Sequence, residues 1–360
     1  MQDTTLSRWL SPALAFCLSF ILITTLAPML GMQTERQFDF WLLWLGAMIV
    51  LALPIAYLEI GLAKRSQTSA LQALSNLTRD ADASARWRVV GWLAVVFVSF
   101  LAGRVLSSAT QLVSQQIEVT VSSQILFAIF AMMALGLSFV PRQLLVLLAS
   151  LGVITVFIFA NRMGMPVSSW QWTAITFNEW GNATVLALVA TGLGLGVYWQ
   201  SSLAAVKTQA AASSAVLPIW LAQLLAVVAV GFFAVHGQLP VMAWVGAAIL
   251  TAALLIQFAK AQLVQRQIAL IIQWVIIVAA LAVWAISQIE QVLNPLLMLW
   301  GLVICLIYAI FAGWIMKISH LRKAMNFSTE LFYNLWRIAV RVVLPLAIVL
   351  AMLSLLGQQL

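Results

Sequence analysis

Charge is scarce in this sequence. Only 8% of its 360 residues are Asp, Glu, Lys or Arg, whereas 64% are hydrophobic. Soluble domains carry about 25% charged residues, so a water-soluble fold is excluded and a polytopic helical membrane protein is the class that remains. Cysteine is almost absent. Cys17 and Cys305 both lie in apolar runs, which argues against a disulfide framework and against a metal site. His236 lies near the end of another run and makes no metal site alone. No glycine-rich phosphate loop follows a strand, and neither H-E-x-x-H nor C-x-x-C occurs. No nucleophile stands beside a base in a pattern that suggests an intramembrane enzyme. The first apolar stretch is longer than a signal-peptide core and lacks a cleavage site, so it reads as a retained span.

What the chain does contain is apolar runs long enough to cross a bilayer. Eleven are expected: 11–32, 40–63, 89–113, 122–140, 143–160, 183–206, 214–235, 241–262, 266–288, 294–316 and 334–356. The weakest division is the fourth from the fifth, where only Pro141 and Arg142 intervene. Charge tests the count. With the N-terminus inside, 15 of the 18 basic residues fall on the cytoplasmic side, while only Arg36 and Arg162 fall outside. Glu35, Asp39, Glu118, Glu179 and Glu290 fall in external segments. One mis-split span would invert every later loop, so the positive-inside rule supports eleven spans with the C-terminus outside. The net charge of +8 is thereby explained by topology, with the bilayer as partner and no nucleic acid implied. The external segment 161–182 is rich in tryptophan and suits the membrane interface. The tryptophans, 16 in all, read mostly as interfacial belts.

The sixth span organises the rest. Gly192, Gly194 and Gly196 recur at every second position and are followed by Tyr198, Trp199 and Gln200. Each glycine weakens a helix by about 1 kcal/mol relative to alanine. Two readings stay open: a helix packed closely through small residues, or a helix broken around a solute cavity.

Two ionisable residues lie within spans. Arg104 sits deep in the third span, well away from both ends, where insertion costs at least about 2.5 kcal/mol. It is either an anion ligand in a cavity, a member of a structural ion pair, or a side chain snorkelling to the interface. Glu59 is five residues before Lys64. It either pairs with Lys64 or Arg65, accepts hydrogen bonds from the open backbone of a broken neighbour, or couples protons. Ser19, Thr24 and Thr25 in the first span, Ser107, Ser108, Thr110 and Gln111 in the third, and Gln200 are weaker candidates. Hydroxyls on membrane helices most often bond their own preceding carbonyls.

Together these segments resemble the neurotransmitter:sodium symporter family. LPIAYLEIGLAKRS (53–66) looks like its second helix, TGLGLGVYWQSSL (191–203) its glycine-rich broken sixth helix, and LWRIAVRVVLPLAIVL (335–350) its eleventh. The resemblance runs over nearly the whole chain. It implies an all-α, leucine-transporter-like fold in a single domain, residues 1–360, with inverted five-span repeats at 11–160 and 183–316 and an extra helix at 334–356. It also implies that Glu59 braces the opened sixth helix near Gly194 and Gly196. The chain departs from the family in two places. FILITTLA before Pro28 lacks the first-helix Gly, Asn and Arg, and AAILTAALLIQFAKAQL in the eighth span lacks paired hydroxyls. Sodium ligands are therefore missing from the pattern. By position Arg104 falls near a family tyrosine that meets the substrate carboxylate.

The expectation is a secondary transporter of a small amino acid or related organic solute in a bacterial inner membrane. Its solute would lie between spans one, three, six and eight, against Ser19, Thr24, Arg104, Gly192, Gly194, Gly196, Tyr198 and Gln200. No organic cofactor is implied, and coupling to sodium or protons is left open. The alternative is a non-transporting sensor or a subunit of a larger membrane assembly, with a protein partner.

Overall fold

Stretches this apolar satisfy their backbone polar groups internally when they form helices, and helices dominate the fold. A computed structural model describes residues 2–30, 37–117, 121–163, 169–199, 212–234, 239–316 and 318–358. Among the described residues, eight helices are long and apolar enough to cross a bilayer: Trp9–Leu30, Phe38–Ser66, Ala85–Gln116, Arg142–Ala160, Ser213–Phe232, Val241–Gln265, Ser287–Ile315 and Glu330–Gly357. Ser123–Leu137 and Leu270–Ala285 are apolar but shorter. They are the fourth and ninth spans, and a short span is accommodated by local thinning of the bilayer. The remaining span is the sixth. The fourth and fifth spans are separate helices, Ser123–Leu137 and Arg142–Met163, divided at Pro141.

Of these eight helices, the first and third are the most deeply enclosed. The third packs along the eighth and also touches the ninth and tenth; the first lies against the seventh and fifth. The outer spans turn Met132, Leu147, Ile271 and Leu353 outward, as lipid-facing helices do. Two short helices, Ala70–Asp80 and Ile318–Met325, follow the second and tenth spans.

The long helices are not uniformly wound. π turns occur at Met48–Ala52, Val230–Ala234, Phe311–Ile315 and Ala339–Val343. Two of them run into a proline, Pro54 and Pro345, which lacks the N–H and crowds the carbonyl four residues back. For Pro345 that carbonyl belongs to Arg341, and the indole of Trp314 donates to it at 3.1 Å. Trp220 donates likewise to Met48 O at 2.9 Å, and Trp336 to Pro54 O at 3.0 Å. These tryptophans therefore complete backbone hydrogen bonding at or beside the π turns, Trp220 and Trp336 from within the bundle and Trp314 from its exposed surface, a role distinct from the interfacial belt expected of them.

The sixth span is broken. Its first half is the helix Phe177–Leu188, opened by a capping box between Thr176 and Glu179. Residues 189–196 are turns, and helix resumes at 197–199. Gly192, Gly194 and Gly196 all have positive φ, at 74°, 71° and 80°. L-residues other than glycine adopt this region at a cost of about 1–2 kcal/mol. Of the two readings left open by the sequence, the break is the one found.

A β-carbon on Gly194 would lie 2.8 Å from Ile55 Cδ1 and 2.9 Å from Cys305 Sγ, whereas one on Gly246 meets nothing within 4 Å. Gly194→Ala is expected to destabilise by about 2–4 kcal/mol, combining backbone strain with overpacking. Gly246→Ala, within an ordinary helix, is expected to be neutral or to stabilise by up to about 1 kcal/mol. Thermal unfolding of the two variants side by side checks the contrast.

Candidate functional site

A break inside a membrane protein frees backbone groups that must find partners. Around the sixth span the backbone satisfies some of these itself, with Ala190 N, Gly192 N and Leu193 N donating to carbonyls earlier in the span, and side chains answer others. Glu59, 2% exposed on the second span, accepts from Gly194 N at 2.7 Å through Oε2 and from Trp199 N at 2.9 Å through Oε1. Alternating left-handed glycines turn successive N–H groups toward one side, making a concavity that suits an oxygen acceptor. The short helix resuming at 197 adds its N-terminal N–H groups on the same side. Glu59 occupies that concavity. Its neighbour Arg65 pairs instead with Asp80 at 3.4 Å.

The freed carbonyls are satisfied in the same manner. Thr191 O accepts from Tyr198 OH at 2.7 Å, from Ser19 Oγ at 3.3 Å and from Gln223 Nε2 at 3.5 Å. Leu193 O accepts from Cys305 Sγ at 3.4 Å. Donors from the first, sixth, seventh and tenth spans thus converge on two adjacent turns of opened backbone. Every residue from 181 to 199 is buried, so the break is enclosed in this conformation.

Of the candidate residues, the structure brings Ser19, Glu59, Gly192, Gly194, Gly196 and Tyr198 together here. Thr24 is elsewhere: its hydroxyl donates to Phe20 O and Ile21 O of its own helix and accepts from Trp244 Nε1 at 3.0 Å. Gln200 lies outside the described residues, as do Glu35, Arg36, Glu118, Lys207, His236 and Lys317. Gln223 and Thr191 were not singled out from the sequence. A lone Gln in an apolar helix gave a weak signal, and a backbone carbonyl gives none.

Arg104 belongs to a second cluster. It is 4% exposed, and its Nη1 lies 3.8 Å from Glu290 Oε1. Its Nε points to Met29 Sδ at 3.1 Å and its guanidinium lies 5.5 Å from the ring centre of Trp284. Ser107 and Gln111, at three and seven residues beyond Arg104 on one helix face, both donate to the Glu290 carboxyl. Among the open readings of Arg104, an ion pair is what the structure contains. Hydropathy places Glu290 in an external loop before a span starting at 294. The helix begins at Glu290 itself, which points the carboxyl back at the third span. Even so, Arg104 Nη1 has no hydrogen-bond partner. A buried donor left open costs about 1–3 kcal/mol, more when charged.

The first span differs from the sixth. It is a continuous helix from Gln2 to Leu26, tightening into a 3-10 turn at Ala27–Leu30. Thr25 also spends its hydroxyl on its own helix, at Ile21 O. Thr251 in the eighth span is fully buried and its hydroxyl has no partner.

A solved structure matches this arrangement along almost the whole chain. It is MhsT in complex with L-phenylalanine, with a TM-score of 0.65, 17% identity, and coverage of 95% of this chain and 98% of that one. MhsT is a leucine-transporter-fold member of the neurotransmitter:sodium symporter family. This chain has the leucine-transporter-like fold. At 17% identity the likeness carries the fold and nothing finer. No family model and no curated protein matches the sequence. Within the leucine-transporter-like fold, this chain combines a broken sixth span with an unbroken first one.

Two outcomes follow for stability. Glu59→Gln places an amide donor against one of two backbone donors, and is expected to cost about 2–4 kcal/mol as a buried network is left half-satisfied. Glu59→Ala should lower the melting temperature further; an unchanged value for Glu59→Ala would show that the break is held by other groups. For the second cluster, a double-mutant cycle on Arg104→Ala and Glu290→Gln should return a coupling of about 1–3 kcal/mol. Additive losses would mean that the two side chains act independently.

Proposed function

We propose that this chain is a secondary transporter of a small amino acid or a related organic solute, working without a bound sodium ion. The observation that carries this reading is the enclosed break in the sixth span. Its backbone groups are held by exchangeable side-chain donors and acceptors, which is the chemistry that lets a polar solute enter a membrane interior. In this reading a solute's polar groups replace Tyr198, Ser19 or Gln223 at the opened backbone, whose Thr191 carbonyl those donors now hold. Arg104, with its open Nη1, receives an anionic group in competition with Glu290. Glu59 stays with Gly194 and Trp199 throughout and braces the break. Two five-span repeats rocking against each other would expose the site alternately to each side.

The absence of sodium from the reading rests on how oxygen atoms are used. Thr24 Oγ1 already accepts from Trp244 and Thr191 O already has three protein donors, while the eighth span lacks paired hydroxyls. The charge pattern supports an inner-membrane orientation with the N-terminus cytoplasmic and the C-terminus periplasmic.

One observation favours a different reading. The unbroken first span leaves the sixth as the only break among the described spans. That would suit a non-transporting sensor or a subunit of a larger membrane assembly.

Uptake into proteoliposomes separates the two. Phenylalanine, leucine and alanine are offered with sodium or potassium outside, at two pH values. Accumulation or exchange of at least one solute, equal in sodium and potassium and weakened in Arg104→Ala, is the expected result. Uptake that requires sodium would overturn the coupling proposal. No uptake or solute binding, together with a partner that co-purifies in fixed ratio, would move the assignment to the second reading.

A further inference from the structure

Away from the break, a cavity of about 520 Å³ lies where the Ile318–Met325 helix meets the start of the last span. Arg322, Lys323, Asn326, Thr329, Glu330 and Tyr333 line it. Arg322 is already paired with Glu330 and lies over the Tyr333 ring, 6.0 Å from its centre. One turn beyond Tyr333, on the same face of the helix Glu330–Ile338, stands the half-buried Arg337. Arg341 is tied to Gly313 O and lies 5.6 Å from the Trp314 ring centre. Glu330 therefore offsets Arg322, and Arg341 is held at a carbonyl. Lys323 and Arg337 have no ion-pair partner among the described residues. The floor is aromatic: Phe327 packs against Tyr57, Phe332, Tyr333 and Trp336 with ring centres 5.0–6.3 Å apart.

This cavity continues into an apolar stripe. Leu331, Leu335, Ile338 and Val342 recur at spacings of four, three and four, so they share one helix face. They are 70%, 57%, 55% and 54% exposed. The stripe runs from the cavity along a helix long and apolar enough to cross the bilayer. Two uncompensated cations at the end of a lipid-facing apolar face have the form of a headgroup pocket joined to an acyl-chain track. A soluble anion would use the cations and leave the stripe unexplained.

We propose that this cavity binds the phosphate headgroup of an anionic phospholipid, with Lys323 and Arg337 as its cationic ligands and an acyl chain along Leu331, Leu335, Ile338 and Val342. The charge-derived orientation assigns the site to the cytoplasmic leaflet, whose surface is anionic. The site is separate from the break in the sixth span and does not depend on what the chain transports.

The test uses the full chain in neutral detergent, with lipid binding read by native mass spectrometry and by thermal stabilisation. The probes are phosphatidylglycerol, phosphatidylcholine with the same acyl chains, and soluble glycerol phosphate. Phosphatidylglycerol should bind about thirtyfold more tightly than phosphatidylcholine, given roughly 1 kcal/mol for each of two cations near an anionic headgroup. Lys323→Gln with Arg337→Gln should remove most of that preference, while Arg337→Lys retains it. Arg79→Gln with Arg86→Gln, an equal loss of charge at exposed positions, should leave it intact. The proposal is overturned if phosphatidylcholine binds equally well, or if the control pair loses as much preference as the test pair. It is also overturned if glycerol phosphate gives the same stabilisation as the lipid. Should the double variant fail to fold, each single variant must still show a reduced preference for the proposal to stand.

Discussion

The carboxyl group of Glu59 is the interaction on which this architecture depends. A membrane helix can be interrupted only where the freed backbone groups are answered from inside the protein. Here Glu59 answers two of the donors, Gly194 N and Trp199 N, from a position that is itself almost fully enclosed. An acceptor and the backbone it holds would each be costly alone in such surroundings. Together they form a network in which neither can be removed without orphaning the other. The glycines make the geometry accessible, since positive φ at three alternating positions is tolerated there. Close packing then holds it: Ile55 and Cys305 lie where a β-carbon on Gly194 would go, and Val189 and Phe97 crowd Gly301.

The same demand, that buried polar groups be paired, explains features that otherwise look unrelated. Indole N–H groups of Trp220, Trp314 and Trp336 meet carbonyls at or beside the π turns near Pro54 and Pro345. Hydroxyls of Thr24, Thr25 and Thr110 fold back on their own helices. Arg104 is drawn to Glu290, whose carboxyl also takes up Ser107 and Gln111. In water such groups would have solvent as an alternative. In a bilayer the protein must supply the partner, so polar residues gather at a few junctions between spans.

Much of the fold was legible in the sequence because bilayer thickness and backbone satisfaction leave few solutions. Apolar length and the placement of basic residues were enough to count eleven spans, including the division at Pro141. Glu59 and the three glycines were also legible. A carboxyl deep in one span and an improbable glycine pattern in another each require explanation. Glu290 was misjudged because a charge at a span boundary reads as loop when hydropathy alone sets the boundary. Its partner lies 186 positions earlier, as the numbers of Arg104 and Glu290 show, and hydropathy holds no information on such pairs. Gln223 is an isolated amide in an apolar run, a pattern it shares with residues that only hold helices together.

Composition and periodicity by themselves determined that this is an all-helical chain built for a bilayer, with one span too rich in glycine to be an ordinary helix. These properties depend on local chemistry and on the thickness of the solvent, and both are written along the chain. Whether that span would break, and which groups would hold it open, was decided only by tertiary structure. The backbone of residues 189–196 has no preference strong enough to choose between a packed helix and an open turn. Glu59, Ser19, Gln223 and Cys305 make the choice by standing, in three dimensions, where the freed N–H and C=O groups need them. Distances between spans are set by the packing of the whole bundle, and no single stretch of sequence contains them.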